Sequence, residues 1–233
     1  MGRIISLFAV VWIGLSGAAT AQDRSPVVVE LFTSQGCSSC PPADALLAKL
    51  APRDDVIALA LHVDYWDYIG WKDIFGDPDN TRRQKAYARV AGSHMIYTPQ
   101  MVVDGVQQLA GHQPMELVEL IQRHQAAAAP VLMQMTRQGD RIIVTARAET
   151  PMPGEAVLQL VRYIPRQTVT ITRGENAGRT ITYSNIVTAW NQVATWDGTY
   201  PFRMSFEISS GQPVVAIMQQ RGPGPILAAA RLR

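Results

Sequence analysis

The only two cysteines in this chain of 233 residues stand three apart, as Cys37-Ser38-Ser39-Cys40. An apolar run, Val27-Val28-Val29-Glu30-Leu31-Phe32, comes just before them, and a helical pattern from Ala43 to Leu50 just after. At the head of a helix, unpaired N–H groups and the positive end of the dipole stabilise a thiolate and make it a nucleophile at neutral pH. A second thiol one turn on can attack the first sulfur, close a disulfide and release a bound partner. The spacing therefore points to thiol–disulfide exchange, with Cys37 attacking and Cys40 resolving. As a staple the same bridge would achieve little, because so short a loop removes little chain entropy.

The elements that must position this pair are readable up to Ala126-Ala127-Ala128-Ala129-Pro130, where the pattern changes. Before that point strand-like and helical stretches alternate, the mark of an α/β domain over 26–127. Strands are expected at 26–33, 56–63, 100–103 and 106–109. Helices are expected from the cysteines to about Leu50, from about Asn80 to Val90 and from Pro114 to about Ala127. Asp104-Gly105 is a hairpin-turn signal. Beyond the boundary, short alternating runs separated by turn residues predict an all-β, sandwich-like domain over 131–233. Its strands are expected near 131–136, 141–148, 156–163, 168–172, 180–188, 202–208, 213–219 and 226–230.

The first 21 residues read as an export signal: Arg3, an apolar stretch from Ile4 to Leu15, and Ala19-Thr20-Ala21 before the cleavage point. Export implies an oxidising compartment, the periplasm of a Gram-negative cell, where paired cysteines persist as disulfides. The apolar stretch is too short for stable membrane insertion. Removing residues 1–21 takes away Arg3 and no acidic residue, which lowers the formal net charge from +2 to +1. So balanced a chain gives no footprint for nucleic acid. No cofactor is expected: the chain has no G-x-S-x-G, H-E-x-x-H or G-x-x-x-x-G-K pattern. The partner implied is a protein or a small thiol.

Two other readings use the same residues. Cys37 and Cys40 with one of His62, His94, His112 or His124 would suit copper(I) or zinc, and His94 is the best placed of the four in sequence. Alternatively the β domain binds a partner and the dithiol is a redox sensor without turnover. The aromatic cluster Tyr65, Trp66, Tyr68 and Trp71 reads as packing for an insertion or as the wall of a client groove. Gly174 to Arg179 has the composition of a tight hairpin loop.

With Tyr97-Thr98-Pro99 followed by Gln100-Met101-Val102-Val103-Asp104-Gly105, residues 26–127 resemble the thioredoxin superfamily. The resemblance implies a cis Pro99 packed beside the dithiol and a Thr98 backbone that pairs with substrate. The superfamily carries a buried acid six residues before the first cysteine. Here Glu30 lies seven before, so it would accept the Cys40 proton if the turn holds one extra residue, and is otherwise a solvated strand-end Glu. Gly36 stands where an aromatic is usual, and Pro41-Pro42 constrain the start of the helix. More closely, the chain is similar to the exported bacterial family called domain of unknown function 1223. That likeness rests on Glu30 to Asp44, on His62-Val63-Asp64-Tyr65-Trp66-Asp67 with Gly70-Trp71, and on Gly174-Glu175-Asn176-Ala177-Gly178-Arg179.

Overall fold

The structure, a computed structural model, describes residues 25–207 and 211–232; the expected export signal lies outside them. Two strands form the centre. β1 (Val27–Thr33) and β2 (Val56–His62) are buried along their whole length and run parallel, from Val27 opposite Val56 to Thr33 opposite His62. Covered on both faces, they read as continuous apolar runs rich in β-branched residues. Between them lies α1 (Pro41–Leu50), whose Pro41 and Pro42 fall in the first turn, where a missing N–H breaks no helical bond. Its buried residues Ala43, Asp44, Leu47 and Leu50 share one face.

After β2 a 3-10 turn (Asp67–Ile69) leads to α2 (Pro78–Val90), capped by the Asp77 carboxylate accepting from Asp79 N at 2.8 Å. The buried face of α2 is polar, carrying Asn80, Thr81 and Gln84 beside Tyr87. β3 (Gln100–Val103) and β4 (Gln107–Ala110) form a hairpin turned by Asp104 and Gly105 at φ 45° and 72°, and α3 (Pro114–Ala126) follows. β1 pairs antiparallel with β3, and β3 with β4.

The second half consists of β5 (Val131–Gln138), β6 (Arg141–Ala148), β7 (Ala156–Thr170), β8 (Thr180–Trp196), β9 (Phe202–Glu207), β10 (Val214–Gln220) and β11 (Ile226–Arg231). The strands expected at 156–163 and 168–172 are one strand, β7, and β8 runs eight residues beyond its expected end at 188. Pro165 falls between those two expected stretches. It lies past Arg162, the last β7 residue paired with β10, so one edge of β7 is open there and the strand continues. A strand of this length spans about 50 Å, enough to carry the β7–β8 hairpin from one end of the molecule to the dithiol.

The strands form an eight-stranded sheet in the order β11-β10-β7-β8-β2-β1-β3-β4, and a three-stranded sheet, β5-β6-β9. The large sheet passes through both halves of the sequence: β8 joins β2 in parallel at Ala60 and Ile186, and Asn185 donates its side-chain amide to Ala58 O at 2.8 Å. Alternation assigns the faces. Val27, Val29, Leu31, Ala58 and Ala60 pack with α1 and α3; Val28, Phe32, Ile57, Leu59 and Leu61 pack with Tyr87 of α2. The small sheet covers the far end of the large one through Val131, Ile142 and Val144 against Leu158, Val214 and Ala216. Among the described residues no helix is long and apolar enough to cross a membrane.

Candidate functional site

β1 ends at Thr33 and the chain turns through Ser34, Gln35 and Gly36 into the cysteines. Cys37 N donates to Ser34 O and Cys40 N to Cys37 O, each at 3.2 Å, so two successive turns deliver Cys40 to the N-cap of α1. The two sulfurs are bonded, with Cα atoms 5.4 Å apart. Cys37 is 1% exposed and Cys40 0%, while Ser38 and Ser39 between them face solvent. The Ser39 hydroxyl lies 3.3 Å from Cys37 Sγ.

Three segments close over the pair. The first is the aromatic insertion. A Cβ on Gly36 would stand 3.0 Å from Trp66 Cβ and 3.3 Å from Trp66 O, tighter than ordinary contact, so glycine suits the close approach of these chains. Trp66 Nε1 donates to Thr98 Oγ1 at 2.8 Å, and Trp71 Nε1 to Gln35 Oε1 at 2.8 Å. These two rings are packing that ties the dithiol loop to the Thr98 loop, whereas Tyr68 is exposed.

The second segment is the Thr98 loop. The Thr98–Pro99 bond is cis, Pro99 is buried, and Pro99 O accepts from Gly111 N at 2.9 Å. A Cβ on Gly111 would stand 2.8 Å from Pro99 Cβ and 2.9 Å from Ala43 Cβ, which places the proline ring against the first turn of α1.

The third segment was not identified as part of the site from the sequence. The loop joining β7 to β8 reaches over the cysteines, and Asn176 donates its amide to both Gln35 O and Cys37 O at 2.9 Å. Ser38 N donates to the Glu175 carboxylate at 3.3 Å, and Gly174, at φ 76°, rests against Trp71. At Gly174 to Arg179 the sequence showed the composition of a hairpin loop and a part of the family likeness, but not the target of the loop, which lies far away along the chain.

Glu30 is not brought to the dithiol. It shares a face with Val28 and Phe32, on the α2 side of the sheet, and is fully buried there. Arg83 binds both of its oxygens, at 2.6 and 2.8 Å, and Tyr87 OH donates to it at 2.6 Å. The acids on the α1 side are different ones. Asp44, one turn beyond Cys40, is 4% exposed, and burial pushes its carboxyl up to about 7 against the pull of His62. His62 Nδ1 lies 2.7 Å from Asp73 Oδ2, which also accepts from Gln35 N at 2.8 Å.

Of the other histidines, His94 and His112 are exposed and His124 pairs with Asp104 at 3.1 Å. Among the described residues no three His, Cys, Asp or Glu side chains converge as a metal-binding group.

A buried disulfide at the head of a helix, in a mixed α/β protein with one dominant sheet, defines the class. The chain belongs to the family described as Protein of unknown function (DUF1223), whose model matches residues 28–219. It is similar to the crystal structure of protein AGR_C_4864 from Agrobacterium tumefaciens, with 30% identity and a TM-score of 0.80 over 91% of this chain and 96% of that one. HBP35 of Porphyromonas gingivalis shares the fold at 16% identity, with a TM-score of 0.63 over 90% of this chain and 75% of that one. No curated protein matches the chain.

Proposed function

We propose that this protein is an exported thiol–disulfide oxidoreductase acting through Cys37 and Cys40, on a protein or small-thiol partner. The observation that carries the reading is the bonded pair at the N-cap of α1 with Pro99 against the same helical turn. Order and direction of the elements support a thioredoxin-like unit over 26–127: β1, α1, β2, α2, β3, β4 and α3, with β1 parallel to β2 and antiparallel to β3. In this reading residues 131–233 are a sandwich-like β unit that supplies the covering loop, and residues 1–21 direct export to the periplasm. Cys37 is the attacking thiol, Cys40 the resolving one, and Thr98-Pro99 shapes the contact with substrate.

The burial of both sulfurs favours a second reading, in which the dithiol is a redox sensor and its reduction changes how the covering loop binds a partner. One measurement separates the two: the reduction potential of the couple, by equilibration with glutathione or dithiothreitol, together with the exchange rate. A potential near about −120 mV marks a disulfide donor and one near about −270 mV a reductase. A potential well below about −300 mV with slow exchange rules out the oxidoreductase reading.

A further inference from the structure

Beneath the dithiol lies a set of ionisable groups that attack by Cys37 does not use. The Asp44 amide donates to Cys40 O at 3.1 Å, one helical turn away. Residues four apart share a helix face and helical side chains lean toward the N-terminus, so Asp44 stands on the same face of α1 as Cys40. Thr33 of β1 and His62 of β2 alternate in step with Val27, Val29 and Leu31, and with Ala58 and Ala60, and so face α1. Both Asp44 oxygens, Thr33 Oγ1 and His62 Nε2 are buried without a hydrogen-bond partner. Folded proteins leave few buried polar atoms unsatisfied, and a group of them beside a reactive pair calls for a role.

His62 is held firmly. Its ring packs edge-on against Phe75 at 5.2 Å and Tyr183 at 4.9 Å, and Nδ1 donates to Asp73. Three groups act on Asp44. Thr33 and His62 favour its ionised form, and Asp73, from the segment after the 3-10 turn, opposes it. Tyr183 of β8 has its own ionisation pushed up by burial and by Asp44 and Asp73, with Arg179 acting the other way.

We propose that Asp44 is the proton acceptor and donor for Cys40, with His62 and Asp73 as positioning residues behind it. This rests on the thiol–disulfide reading. In the mixed disulfide between Cys37 and a partner thiol, the Asp44 carboxylate takes the proton of the Cys40 thiol. The Cys40 thiolate attacks Cys37 Sγ, and the bond from Cys37 to the partner sulfur breaks as the Cys37–Cys40 bond forms. The partner leaves as a thiolate and takes a proton from water, so it is reduced while the two cysteines are oxidised. In reverse, a partner thiolate attacks Cys37, and Cys40 leaves carrying the proton of Asp44. A carboxyl raised to about 7 serves both directions near neutral pH.

The test uses reduced protein and 5,5′-dithiobis(2-nitrobenzoate). The first chromophore released reports attack by Cys37, and the second reports resolution by Cys40. In the unmodified protein the second rate should rise through about pH 7 and level off, whereas an unassisted thiol follows its own ionisation near about 8.5. Asp44→Asn should slow the second release by roughly a hundredfold, the size of a general-base contribution, without a comparable change in the first. His62→Gln should move the inflection to higher pH, because His62 favours the ionised carboxyl. A second release with no inflection near 7 in the unmodified protein overturns the proposal even if the variants fail to fold. So does an Asp44→Asn protein with the unmodified profile. A first release no faster than that of an ordinary exposed thiol overturns the oxidoreductase reading, and this proposal with it.

Discussion

Asn176 donates its side-chain amide to the carbonyl of Cys37 at 2.9 Å, across 139 residues of sequence. The same amide reaches Gln35 O, so a single side chain fastens the β7–β8 loop over the cysteines. Each bond contributes about 1 kcal/mol net. Losing both in Asn176→Ala, at about 2 kcal/mol, should raise the open population roughly thirtyfold. The expected result is faster reduction of the disulfide by dithiothreitol, with the Cys37–Cys40 potential shifted far less than the rate. An unchanged rate would mean that the loop does not control access.

Glu30 and Arg83 form a buried pair remote from the dithiol, with Arg83 also stacked 3.7 Å from the Trp190 ring centre. Glu30→Gln leaves the guanidinium without its counter-charge, a loss of about 3–5 kcal/mol for a buried pair. Denaturant unfolding should show that loss. Dithiol exchange in the folded fraction should keep its rate and pH profile. A changed profile would return Glu30 to the chemistry.

What was legible in the sequence was local. β1, the cysteines and α1 are adjacent in the chain, and their apolar period and two prolines announce them. Which face Glu30 occupies depends on strand alternation, which puts it in step with Val28 and Phe32 rather than with Thr33. Asp44 had a faint signal: an acid four residues after Cys40, among the buried Ala43 and Leu47 of a short helix. Its meaning needs His62 and Asp73, which arrive from other elements. The role of Asn176 could not be read, since hairpin composition carries no address, and β7 runs on past a proline that locally signals a break.

Gly36 faces Trp66 so closely that a side chain there needs the insertion to give by a few tenths of an ångström. Gly36→Ala places a methyl within 3.0 Å of Trp66 Cβ and 3.3 Å of its carbonyl oxygen, and the backbone cannot give as a flexible side chain would. Overpacking of this kind costs about 1–3 kcal/mol. The expected outcome is that loss of stability, together with increased tryptophan quenching by acrylamide as Trp66 loosens from Thr98. Wild-type stability and quenching would mean that the insertion yields freely and is no fixed wall.

Asp44 gives the protein a distinctive stability profile. Its carboxyl titrates near 3.8 when unfolded and is raised to about 7 in the fold, chiefly by burial. Between these values the folded state holds a proton that the unfolded chain has released, so stability falls as pH rises. Below about 4 both states are protonated and the penalty vanishes; above about 7 both are ionised and the full penalty applies. That penalty is on the order of 4 kcal/mol. Asp44→Asn cannot ionise and lacks this slope. Urea unfolding of both proteins across the range should therefore show a stability difference in favour of Asn that grows with pH up to about 7 and then stays constant. Parallel curves would mean that Asp44 titrates in the fold as it does in the unfolded chain, and that the buried group beneath Cys40 stores no proton.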